Sequence, residues 1–504
     1  MKTKLIIIVS LLMVFNITAC RFKLFDKTTD SSEPAVEDTS AVSDDNAASD
    51  DVMNNEDDVD DEDSDEDVRI VRTFKDDPNL KRILNADNLD DLLKLKKSGV
   101  NIDATDSDGL TALMLNDDPK LTEALLKAGA DINAKCDRGY TALMLADNAD
   151  VAKVLIKAGA NLEDRSDNGS TALMLQDDPK IIKVLIEAGA DVNAKTKKGL
   201  TPLMYADNAE IAKLLIKSGE KIEDETKSGV TALMIHDDPE IINVLIKAGA
   251  NVNHVDKNGL TPLMIVKSAD VANALIKAGA NVNAKSDKGF SALMLADDVE
   301  IVKVLIKAGA KIDDRSNSGF TAMMLNDDLD IFNELLKAGA DVNVKSDKGI
   351  TPLMAVSNVE VAKAMIKAGA DINAVDNGGA TTLMHADSYD IAKLLIKSGV
   401  DVNLVDNDGS TALMIFDDLK MIELLIQSGA NLNMKDNDGM TALMYHVSDH
   451  EITKLLLEAG ADPYIEDKEG YDTFEYHLKD KAEDAKRQQI LKKYRSAAKE
   501  LLHH

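Results

Sequence analysis

Two histidines, His446 and His450, stand four residues apart near the end of a 504-residue chain. On a helix that spacing puts both imidazoles on one face, the arrangement by which paired histidines hold zinc. No third ligand stands near them in the sequence, so the pair reads as accidental. The turns "DSDG" at Asp106–Gly109 and "DNDG" at Asp436–Gly439 look like half of a calcium loop. Both lack the first acidic ligand and the distal glutamate that a bound calcium needs, and they read as tight turns. There is no glycine-rich phosphate loop and no nucleophile with a base beside it. No catalytic residue, metal site or cofactor is therefore expected, and the chain does not read as an enzyme.

The remaining chemistry is that of surfaces. Aromatic residues make up 3% of the chain and tryptophan is absent, so the apolar mass is nearly all Leu, Ile, Val, Ala and Met. That composition suits a core of small helices. The formal net charge of −32 argues against nucleic acid or an anionic lipid surface as a partner, since each demands a basic face. More than half of that charge is concentrated between Asp30 and Asp67, which hold 18 acidic residues and no basic one. A stretch of this kind buries too little apolar surface to offset its ordering entropy, and residues 20–72 are expected to form a disordered, extended linker.

The start of the chain has its own signature. Two lysines precede an apolar run from Leu5 to Phe15, too short to cross a bilayer as a helix and right for a secretory signal. Its end, Ile17-Thr18-Ala19-Cys20, resembles the bacterial lipoprotein signal. That resemblance implies removal of residues 1–19, lipidation at Cys20 and a membrane anchor in the cell envelope. Arg21 follows the cysteine where an inner-membrane retention signal would carry Asp, so the resemblance favours the outer membrane. The one other cysteine, Cys136, has no partner for a disulfide and sits where related segments carry Asp, Ser or Thr, a tolerated loop position.

The rest of the chain repeats. One glycine series runs every thirty residues from Gly109 to Gly439 and a second from Gly99 to Gly429, each slipping by one in the last unit, to Gly470 and Gly460. Twelve full units span residues 105–465, with a capping half-unit at 73–104 and a helical cap expected at 466–504. Within a unit, Thr201-Pro202 reads as the start of a short helix, the threonine accepting backbone N–H groups. Asp118-Pro119 caps a second helix whose apolar residues recur at helical spacing, as in Ile181, Val184, Leu185 and Ala188, before a glycine that can take positive φ. A second glycine, in "DNG" or "DKG", closes a tight turn.

The pattern G-x-T-[PA]-L-M, followed by I-x-x-L-I-x-x-G-A-x-[VI]-N, resembles the ankyrin repeat and implies an all-α helical solenoid. Two departures stand out. The period is shorter by three residues than the usual 33, a loss that falls between the two helices and should shorten the first. Methionine, from Met114 to Met444, replaces the family's histidine; it reads as core packing, not as a metal-binding thioether stripe. A single unit cannot bury enough surface to stand alone, so each must be covered by its neighbours.

Ankyrin arrays bind through their turn tips and the adjoining face of the first helix. By that resemblance the candidate protein-binding residues are Lys135, Arg138, Tyr140, Lys198, Lys285, Lys288, Phe290, Arg315, Phe320 and Lys348, the three aromatics being expected as exposed anchors among charges. Beside this basic ridge, Asp117, Asp147, Asp177, Asp207, Asp237, Asp297 and Asp327 should form an acidic one, part of it doubling as helix caps. The expected role is a lipid-anchored envelope scaffold that binds an unknown protein partner. The alternatives are a structural rod without a specific partner, or an accessory or inhibitor that covers a neighbouring enzyme.

Overall fold

In a computed structural model, residues 78–474 and Tyr476 are described. The signal segment with Cys20, the acidic linker and the C-terminal segment 477–504 lie outside them. The described residues fold into α-helices and two short 3-10 helices, with no strand; only isolated bridges such as Thr105 with Thr111 occur. The chain falls into two compact bodies, one ending at Ala250 and the other beginning at Asn251. Both are all-α and built from the same unit.

Most full units hold a one-turn helix, such as Ala112–Leu115, which is only a turn at residues 142–145 and 382–385, and each holds a second helix of nine or ten residues, such as Pro179–Glu187 and Pro119–Ala128. The first helix is a single turn, with little chain between it and the second. Asn116 lies in extended backbone directly after it, and Asp118 already caps the next helix, its side chain accepting the Lys120 N–H at 2.9 Å. Pro119 follows at the first helical position, where its missing N–H leaves no bond unmade. At the other end Ala130 N–H reaches Leu125 C=O at 3.0 Å and Gly129 N–H reaches Leu126 C=O at 3.0 Å. This paired closure needs the left-handed φ of 91° that Gly129 supplies.

Two expectations about caps need correction. Thr201 does not cap the first helix with its side chain, and neither do its counterparts Thr111, Thr171 and Thr231. In the second body the expectation holds at Thr351 and Thr381, whose Oγ1 accepts the Met354 and Met384 N–H at 3.4 and 3.3 Å, while their own backbone N–H groups donate to Met354 and Met384 Sδ at 3.5 and 3.3 Å. Nor does the acidic row cap the second helices. That task falls to the following residue, Asp118, Asn148, Asp178 or Asp238, because the cap must sit immediately before the first helical residue.

The core repeats with the unit. Every methionine of the series from Met114 to Met444 is buried, as are Leu113, Leu125, Leu155, Leu185 and Leu215. With a period of thirty, the same positions are covered in each layer, and the methionine thioether fills the space between the two helices and the neighbouring layer.

Candidate protein-binding surface

Within each body the tips are tight turns clipped to the one before. Asp137 N–H donates to Asp108 C=O at 3.2 Å, Asp167 to Arg138 at 3.1 Å, and Asn317 to Lys288 at 3.0 Å. The clip explains the tip glycines. A Cβ on Gly109 (φ +75°) would stand 2.9 Å from the Asp137 backbone nitrogen, closer than any side chain tolerates.

Against this frame the basic residues fall into two sets. Lys135, Arg165, Lys195, Lys285, Arg315 and Lys345 all reach from one unit to the next. Lys285 Nζ donates to Arg315 C=O at 2.6 Å and lies 2.9 Å from Asp314. The Arg315 guanidinium goes on to Lys345 C=O at 2.8 Å and Asp347 at 2.7 Å. Lys135 repeats the arrangement on Arg165 C=O at 3.1 Å and Asp164 at 3.5 Å. These cations are rungs between layers. The second set, Arg138, Lys198, Lys288 and Lys348, occupies the outermost turn position with exposed side chains, while their carbonyls make the tip clips.

The three aromatics are not exposed. Tyr140, Phe290 and Phe320 are 8%, 7% and 8% accessible. Each follows a tip glycine, and its carbonyl accepts from the residue four before it, as Ser286 N–H does on Phe290 C=O at 2.9 Å. That closure turns the side chain inward under the tip. The signal was in the sequence, since Leu110, Leu200 and Ile350 hold the same place and are buried with them.

A further set of rungs was missed in the sequence altogether. Within each body the asparagine or acid closing the "VN" pair accepts an N–H from the next unit: Asn133 from Asn161 at 3.1 Å, Asn283 from Lys311 at 2.9 Å, Asn403 from Asn431 at 2.7 Å. Gln176, His236 and His446 add a third kind, reaching back to backbone carbonyls in the preceding unit, the last to Leu413 at 2.9 Å. Thus His446 is buried and bonded within the stack, while His450 pairs with Glu451 at 2.7 Å; the two do not converge. Among the described residues no cluster of three metal-ligating side chains exists. Cys136 is a buried free thiol in the tip position where Ser166 or Asp256 accepts the turn's N–H groups.

One unit carries an outlier. Where the other full units place Ala or Val after the helix-ending glycine, the unit after Gly219 places Glu220. Its side chain is 5% accessible, with Oε1 accepting Leu203 N–H at 2.7 Å and Oε2 buried without a partner. Burial pushes its carboxyl up to about 8; the Leu203 N–H and Thr201 pull it back, while Asp224 and Asp191 raise it further.

The remaining acidic ridge is largely solvated: Asp117, Asp147, Asp177, Asp237 and Asp297 are exposed, Asp207 and Asp327 half-buried. Within the second body, partial burial and, more weakly, the charge of Asp327 raise the Asp387 carboxyl above its ordinary value. Like charges along this edge therefore sense one another.

A comparison with curated proteins returned no match. A family model described as "Ankyrin repeats (3 copies)" matches residues 83–166, 171–236, 235–316, 320–406 and 387–467. With the helix pairs, clipped tips and a core renewed every thirty residues, these matches, spanning most of the chain, show that it belongs to the ankyrin-repeat family.

Proposed function

We propose that this ankyrin-repeat chain is a lipid-anchored scaffold of a bacterial cell envelope, holding a protein partner on its tips and the adjoining short-helix face. The observation that carries the binding half is how the surface is divided. Most aliphatic side chains of both helices are consumed in the core and between layers, whereas Arg138, Lys198, Lys288 and Lys348 stand outward at the turn apices. The anchoring half rests on the Leu5–Phe15 run and the Ile17-Thr18-Ala19-Cys20 sequence. In that reading the acidic linker spaces the array from the membrane, the outer membrane being favoured by Arg21.

The two halves are tested separately. Cys20→Ser should abolish incorporation of labelled palmitate and release the chain from the membrane fraction; continued membrane association would refute the anchor. For binding, charge reversal of the four apical cations together should abolish capture of partners crosslinked in intact cells, with thermal unfolding followed alongside as the control for the fold. Lys285 is unsuited to that test, since its reversal would also leave Asp314 uncompensated. Undiminished capture would refute the tip reading.

A further inference from the structure

Both backbone groups of Leu203 are held by titratable side chains. Its N–H donates to Glu220 Oε1 at 2.7 Å, and its C=O accepts from His236 Nε2 at 2.7 Å. Pro202 has no N–H, so Leu203 supplies the first donor of the short helix Pro202–Tyr205, and that donor has no partner within the helix. Glu220 comes from the loop later in the same unit and His236 from the unit that follows, so the helix is gripped from two sides within the first body. Both side chains are buried. The combination is not built into the repeat. Gln176 takes the His236 position two units earlier, and where His446 holds Leu413 C=O in the same manner, Ala430 stands in the column of Glu220.

The grip lies beside two fasteners. Lys221, the next residue after Glu220, donates its N–H to Asn193 Oδ1 of the preceding unit at 2.9 Å, and Lys195 Nζ reaches Asp224 Oδ1 at 3.2 Å. The charged groups whose influence Glu220 feels, Asp224 and Asp191, are both acidic. A proton on Glu220 keeps the carboxyl compatible with its buried place. Without it, a charge with one oxygen unpartnered meets two like charges, and the stable arrangement is one in which the side chain reaches water. Leaving requires the backbone at Glu220 to turn, and Lys221 turns with it.

We propose that Glu220, Leu203 and His236 form a proton-operated clamp: ionisation of Glu220 expels its side chain, frees Leu203 N–H, and opens the joint where the layers carrying Asn193, Leu203 and His236 meet. The clamp is closed in acid, and its opening grows as pH rises through about 8. His236 donates from Nε2 whether it is neutral in that tautomer or protonated, so Glu220 carries the switch. The short helix belongs to the face assigned above to a partner, but the clamp rests on these bonds alone and stands whether or not a partner binds there.

The test is hydrogen–deuterium exchange of the full chain at about pH 6 and about pH 9, values on either side of the transition, each rate being divided by that of the unstructured peptide at the same pH. Protection of the 201–206 peptide and of Lys221 should fall about tenfold or more at the higher pH. In Glu220→Gln the amide oxygen still accepts Leu203 N–H but nothing ionises, and the fall should shrink to less than about twofold. Should that variant fail to fold, Glu220→Ala, which restores the residue of most other units, must give the same flat response. Helix Pro119–Ala128 of the same body should keep its protection throughout. No fall in the unaltered chain, an equal fall in the variant, or an equal fall at Pro119–Ala128 would overturn the proposal.

Discussion

Glu220 is the residue at which this array departs furthest from its own rule. A buried carboxyl with an unpartnered oxygen beside Leu203 N–H is tolerated only in its neutral form. Its native value of about 8 stands above the ordinary 4.5, so the unfolded chain loses this proton at lower pH than the folded one. The contribution of this group to stability is then fully present below about pH 4.5 and is lost as pH rises through about 8. Glu220→Ala, which restores the residue of most other units, is expected to stabilise the first body by on the order of 3 kcal/mol near pH 8 at about 1.4 kcal/mol per pH unit. The gain should shrink towards pH 5, and denaturant unfolding at both values checks it; an equal gain at the two would mean that packing alone is at work. Such exceptions are legible only once the register is known. Glu220 breaks an alanine column visible in the sequence, but what it meets there depends on the fold. The aromatics Tyr140, Phe290 and Phe320 failed for the converse reason: their column was read by its charged neighbours and not by its aliphatic members.

At the scale of the element, the tip is both a fastener and the surface a partner can reach. Composition made the basic ridge legible, but only the geometry separates cations that bridge layers from those that face water. Asp314 is mostly buried, and its Oδ2 has no hydrogen-bond partner. Lys285→Ala therefore leaves a poorly solvated carboxylate and should cost about 1–2 kcal/mol. Lys288→Ala, three residues away on an exposed apex, should change stability by less than about 0.5 kcal/mol. Equal effects in chemical denaturation would contradict the division. Asn283 belongs with the fasteners, since its Oδ1 accepts Lys311 N–H and its Nδ2 donates to Gly309 C=O at 3.1 Å. Asn283→Ala should therefore destabilise the second body by about 1–2 kcal/mol. The helices themselves, with their proline starts and glycine ends, were legible because their signals are local. The rungs were not, because a bond spanning 28 or 30 residues leaves no mark within either segment except the repeat itself.

For the whole molecule, the repetition that builds the core also lines up like charges. Acids recur at every thirtieth residue from Asp117 to Asp237, and Asp387 in the second body feels Asp327 two units away. With neighbouring layers roughly 10 Å apart, such rows lie within one Debye length at about 0.1 M salt. The chain carries 90 acidic against 58 basic side chains, so repulsion should outweigh the partly exposed rungs, each worth about 1 kcal/mol or less. Raising salt from about 10 to 300 mM is accordingly expected to increase the melting temperature by a few degrees, since screening acts over this range. A decrease would place the ion-pair rungs above the repulsion. The same salt should weaken a partner held by the apical cations, because both sides of that contact are solvent-exposed and fully screened. An array that grows more stable while its capture of the partner declines would separate the two electrostatic roles of one surface. If capture and stability rose together, the partner would be held chiefly by apolar contact, and the binding face would have to be sought among exposed apolar side chains such as Ile415 and Tyr445.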